Sequence, residues 1–184
     1  MSRDLKNLAT SIPSSANLQR VLFKFATILT MIEAVIFDFG RTLYNPETSR
    51  LFPQTEEVLA ELNSRKLKLA LVSIADRTKT ERLDDLVKLK IRDYFRAIHI
   101  FGRREEKDFT AILDQLEVAS TNTMIIGDNL KREITLGNTI GAYTVWTKQN
   151  LSGPYIPKNE LQTPNATIEQ ITELIPIIAD LNNR

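Results

Sequence analysis

Cysteine is missing from this chain altogether. That excludes disulfides, thiolate metal sites and cysteine nucleophiles, and it fits a reducing compartment. An excess of either charge is missing too: 24 Lys and Arg stand against 23 Asp and Glu. The chain therefore has no net field to draw in nucleic acid or an anionic membrane, and neither is expected as a partner. No apolar run of about 18 residues occurs, so no transmembrane helix is expected. Internal repeats and low-complexity tracts are also lacking. What is present is ordinary for a globular protein, with 42% hydrophobic and 26% charged residues. The length, 184 residues, suits one well-packed domain and is short for two.

Residues 1–30 differ from the rest. Their first twenty are polar, rich in Ser, Asn and Leu, with Asp4 the one acidic residue. Leu18, Val21, Leu22, Phe25, Ile28 and Leu29 then recur at the spacing of one amphipathic helix. Three readings stay open: a loosely attached extension with Met31 as the true start, a helix packed on the domain or a partner, or an organelle-targeting segment. Lys24 interrupts the apolar stretch and argues against a secretory signal. The expected division is an N-terminal extension over 1–30 and a core domain over 31–184, in a cytoplasmic protein unless residues 1–30 target it to an organelle.

From residue 33 onward, apolar runs with strand character alternate with helical patterns. The runs lie at 33–37, 67–72, 97–101, 122–126 and 142–146. The spacing predicts helices over 54–65 (Val58, Leu59, Leu62), 78–89 (Leu83, Leu86, Leu89), 108–116 (Phe109, Ile112, Leu113, Leu116) and 167–181 (Ile168, Ile171, Leu174, Ile177, Ile178). Residues 147–166, with Pro154, Pro157 and Pro164, read as a loop. Strands alternating with such helices predict an α/β fold of three layers, Rossmann-like, with a central parallel sheet of about five strands. Right-handed crossovers put helices on both faces.

Ligands bind such sheets at the carboxyl ends of the strands. Three of the predicted strands end on polar residues: Asp38, Ser73, and Gly127-Asp128-Asn129. Two carboxylates brought together repel unless a cation joins them. Oxygen ligands of this kind, completed by substrate phosphate, suit Mg²⁺. His99 alternates on a strand and reads as structural. Trp146, near the end of the last strand, is open to two readings, as core or as lining of the site.

The order of "VIFDFGRTL", "LALVS", a basic residue before a helix, and "MIIGDNLKREI" resembles the haloacid dehalogenase-like hydrolase superfamily over residues 32–147. The resemblance implies a Mg²⁺-dependent phosphatase. Asp38 would be the nucleophile, forming an aspartyl phosphate that water hydrolyses. Asp38, the Gly40 carbonyl and Asp128 would ligate the metal, with Asn129 next in the motif. Glu133 stands at the family's second acidic position, usually Asp, where a longer side chain favours contact through water. Ser73 and the Ile74 N–H would hold a phosphoryl oxygen, and Phe39, Gly40 and Arg41 would line the phosphoryl site. The family's lysine is assigned to Lys107, which would neutralise the transferring group, although the usual register falls nearer Arg103.

Two departures from the family pattern matter. Phosphatases of the family usually carry a second Asp two residues after the nucleophile, as general acid and base; here Gly40 stands there, followed by Arg41 in place of the common glycine. This favours an alternative, a weakened phosphate- or protein-binding module on the same fold. In addition, neither Asp38 to Ser73 nor Ser73 to Lys107 has room for a cap domain. An open site implies a phosphorylated small molecule or a bulkier macromolecular phosphate as substrate, or shielding by a second subunit in a homo-oligomer. An enclosed apolar halide pocket, needed for dehalogenation, is not expected.

Overall fold

The computed structural model describes residues 31–75, 78–103, 105, 107–149 and 155–183. The helix expected over 18–29 lies outside them. Among the described residues there are eight strands: β1 (Ala34–Asp38), β2 (Tyr44–Asn45), β3 (Arg50–Leu51), β4 (Lys68–Ile74), β5 (Ala97–Phe101), β6 (Thr123–Gly127), β7 (Tyr143–Thr147) and β8 (Ala166–Ile168). Five α-helices accompany them in the described residues: α1 (Thr55–Ser64), α2 (Lys79–Lys88), α3 (Thr110–Leu116), α4 (Thr135–Thr139) and α5 (Leu174–Asn182). A π-helical turn, Leu130–Ile134, leads into α4.

Six strands form one parallel sheet in the order β5-β4-β1-β6-β7-β8. β1 is central and buried along its whole length. Such a strand has no solvent face, which is why "AVIF" is a continuous apolar run rather than an alternating one. Its alternate side chains feed two cores. Val35 and Phe37 pack with Leu69, Leu71, Ile126 and the buried face of α1 and α5. Ala34 and Ile36 pack with Ala70, Val72, Ile125 and the buried face of α3. The result is the expected three-layer α/β architecture.

The last helical reading needs correction. A sixth strand, β8, occupies Ala166–Ile168, and the helix begins only at Leu174 after a 3₁₀ turn, Ile171–Glu173. Ile168 has helical spacing to Ile171, but its backbone carbonyl accepts from the Lys148 N–H and so belongs to the sheet. Asn165 starts this strand, its Oδ1 accepting from the Thr144 N–H at 2.7 Å. On α2, Leu83 is exposed although it was expected on the buried face; Leu86 carries the packing there.

The connection from β1 to α1 also holds a small antiparallel hairpin, β2–β3. It is a lip, far short of a cap domain. Among the described residues no helix is long and apolar enough to cross a membrane.

Candidate active site

The sheet register sets the site. Asp38 is opposite Val72 on β4, and Phe37 opposite Ile126 on β6. The ends of β1, β4 and β6 therefore bring Asp38, Ser73 and Asp128 to one edge. β1 is also the point from which the chain winds in both directions, with β4 and β5 on one side and β6 to β8 on the other. A cavity of about 240 Å³ opens there, lined among others by Asp38, Phe39, Gly40, Arg41, Ser73, Ile74, Lys107 and Asp128. These eight residues border one space; Glu133, expected at the second acidic position, is not among the described residues that line it.

Lys107 is the most informative of them. It comes just before α3, whose first N–H groups include Thr110 N, bonded to the Asp108 carboxylate at 2.8 Å. Its ammonium donates to Asp38 Oδ1 and to Glu133 Oε1, both at 2.5 Å. The Lys107 side chain is 2% exposed and that of Glu133 1%. Burial alone would lower the lysine's pKa, but the Asp38 and Glu133 carboxylates outweigh it and hold the ammonium above its ordinary value. It stays charged at neutral pH. Arg103, the other candidate for this role, is exposed and is not among the described residues lining the cavity.

Glu133 is turned toward Lys107 by the π-helical turn. The wider winding shows in the Ile134 N–H bond to the Asn129 carbonyl and in the Thr135 N–H bond to the Leu130 carbonyl. Gly127 makes this approach possible: a Cβ there would sit 2.5 Å from Glu133 Cβ. Glu133 Oε2 is buried with no protein partner.

Asp128 follows β6, and its backbone carbonyl accepts from the Trp146 indole at 2.9 Å. Trp146 is buried beside Leu130 and Ile134, so it is core, and it also fixes the loop that carries Asp128. Burial, then the charges of Asp38 and Glu133, push the Asp128 carboxyl up to about 7; Arg41 and Arg132 oppose this. Carboxylates crowded in this way call for a cation. Asp38, Asp128 and the Gly40 carbonyl border the same cavity, and oxygen atoms of this kind could hold Mg²⁺.

Gly40 has open space around it: a built Cβ meets nothing within 4 Å. Arg41 adopts φ 57°, the left-handed conformation that favours glycine. It is exposed at the cavity mouth. Ser73 is buried, its hydroxyl 3.5 Å from the Ile74 carbonyl.

Three residues escaped the sequence reading. Thr42 is fully buried and its hydroxyl lies 3.5 Å from Asp38 Oδ2; the signal was a polar residue four positions after Asp38 in an apolar setting. Gln149 is buried and clips the site loop to the rest of the domain, donating to the Thr42 carbonyl at 2.9 Å and accepting from the Ile171 N–H. Arg82, on α2, lines the cavity with its guanidinium 4.4 Å from the centre of the Phe39 ring. No local signal distinguished either Gln149 or Arg82.

A model of the haloacid dehalogenase-like hydrolase family matches residues 17–147. Solved structures share the fold. The HAD-family protein YfnB of Bacillus subtilis, in a structure bound to magnesium, is 13% identical, with 80% of this chain and 98% of that chain covered and a TM-score of 0.67. A protein of Listeria monocytogenes serotype 4b is 21% identical, with 81% and 99% covered and a TM-score of 0.65. A predicted phosphoglycolate phosphatase from Haemophilus somnus 129pt is 12% identical, with 81% and 99% covered and a TM-score of 0.62. No curated protein matches by sequence. With the family match spanning most of the chain, and Asp38, Ser73, Lys107 and Asp128 around one cavity, the chain belongs to the haloacid dehalogenase-like hydrolases.

Proposed function

We propose that this hydrolase is a phosphatase acting on a phosphomonoester through an aspartyl phosphate on Asp38. The observation that carries the reading is the contact of the buried, charged Lys107 with the Asp38 carboxylate at 2.5 Å. A carboxylate fixed at a strand end beside a permanent cation is suited to in-line attack on phosphorus. The Asp38 oxygen–phosphorus bond forms as the bond from phosphorus to the ester oxygen breaks, and the leaving group departs with that electron pair. Water then attacks phosphorus and frees Asp38 and inorganic phosphate. Lys107 offsets negative charge on the equatorial oxygens, and Ser73 with the Ile74 N–H orients one of them.

Asp38, Asp128 and the Gly40 carbonyl would hold Mg²⁺. When bound it supplies further charge neutralisation at the phosphoryl group. Glu133 holds Lys107 in place. Gly40 offers no proton to the leaving oxygen, so esters with weakly basic leaving groups are favoured. Assay against aryl, acyl and alkyl phosphates with Mg²⁺ and with EDTA tests the reading. Mg²⁺-dependent turnover that Asp38→Asn abolishes is expected; turnover that survives both EDTA and Asp38→Asn refutes it.

A further inference from the structure

The Arg82 side chain makes an ion pair with Asp85 but no hydrogen bond among the described residues. Its side chain is 13% exposed, its Nε is buried with no partner, and the paired Asp85 carboxylate lies at 3.6 Å, beyond hydrogen-bond reach. The guanidinium is held instead by packing over the Phe39 ring, which stacks on Tyr44 with centroids 4.9 Å apart. Arg82 also borders two spaces. One is the cavity of Asp38; the other, of about 390 Å³, lies between the β2–β3 hairpin and the start of α2. A leaving group that extends from a phosphoryl group on Asp38 into the outer space passes this guanidinium.

We propose that Arg82 anchors a carboxylate on the leaving group, so that the substrate is a small phosphorylated acid. The inference rests on the phosphatase reading above and names the substrate class for that same site. A guanidinium presents a planar fork of donors that matches a carboxylate, and one already fixed by an aromatic face loses little freedom on binding. A second phosphate fits less well. The outer space is also bordered by Asp85 and Glu81, and a dianion beside them meets repulsion that a single carboxylate charge meets less.

The test is a ratio. Values of kcat/KM are measured with Mg²⁺ for 2-phosphoglycolate against ethyl phosphate, and for 3-phosphoglycerate against glycerol 3-phosphate. The wild type is expected to prefer the acid in at least one pair by roughly 10-fold or more, the worth of a charge-assisted hydrogen bond. Arg82→Gln brings that ratio to about one, with the loss in KM of the acid. Arg82→Lys keeps the charge without the fork and retains part of the ratio, and it serves if the Gln variant does not fold. Losses common to both members of a pair cancel. No preference in the wild type, a ratio unchanged in the variants, or a stronger preference for 1,3-propanediol bisphosphate over propyl phosphate overturns the proposal. Asp38→Asn separates the two readings. If it retains turnover, the phosphatase reading fails; if it loses turnover while the wild-type ratio is one, only the role of Arg82 fails.

Discussion

Replacing Lys107 with methionine removes the cation from between two carboxylates and leaves the shape nearly unchanged. Asp38 keeps some contact with solvent, its side chain 10% exposed, but Glu133 at 1% does not, and its second oxygen already lacks a protein partner. Breaking a buried pair by deleting one partner costs about 3–5 kcal/mol. For a domain of this size that is a fall in Tm of roughly 6–20 °C, taking 2–4 °C for each kcal/mol. The cost must depend on pH. Burial and Asp38 push the Glu133 carboxyl up, and in the wild type Lys107 pulls it back. In Lys107→Met that restraint is gone. A carboxyl whose folded pKa is raised loses stability as pH rises from its unfolded value through its folded value. Denaturant unfolding in EDTA is therefore expected to show a large deficit at pH 8 and a smaller one at pH 5.5. Adding Glu133→Leu to Lys107→Met is expected to recover part of the loss. A deficit below about 1 kcal/mol, or one equal at both pH values, refutes the buried triad.

Three further outcomes follow from the site. Gly40→Asp has room for its side chain and is expected to fold normally. Plots of rate against leaving-group pKa should be steep for the wild type and flatter for this variant, with a gain on alkyl esters of at most about 10²–10⁴. Arg41→Gly relieves a left-handed backbone cost of about 1–2 kcal/mol, offset in part by the entropy of glycine, and is expected to raise stability by up to about 1 kcal/mol in denaturant unfolding. Asp128, with its carboxyl near 7, takes up a proton that competes with the metal. Calorimetric Mg²⁺ affinity should fall about tenfold per pH unit below 7, and metal-free stability should decline as pH rises from about 4 to 7.

The parallel sheet and the polar residues at its edge were legible because the physics is local and repeated. A strand buried on both faces reads as "AVIF" or "LALV", and a carboxylate at its end stands out against that background. The choice between Lys107 and Arg103 was not legible, because the distance that decides it runs between β1 and the residues before α3. The contact of Glu133 with Lys107, made through the π-helical turn, was not foreseen. One inserted residue of winding leaves no mark in apolar spacing. Ile168 misled for the opposite reason: its spacing to Ile171 and Leu174 is helical, yet strand pairing with β7 takes it. Gln149 and Arg82 act across more than forty residues of chain, on Thr42 and Phe39, where no periodicity links them.

The central claim is covalent catalysis by Asp38. The most direct measurement quenches the enzyme during turnover of p-nitrophenyl phosphate with Mg²⁺, reduces it with borohydride and maps the peptides by mass spectrometry. An aspartyl phosphate is reduced to homoserine, and homoserine is expected at position 38, only with substrate present and not in Asp38→Asn. Homoserine at another aspartate, or turnover that persists in Asp38→Asn, would contradict the account.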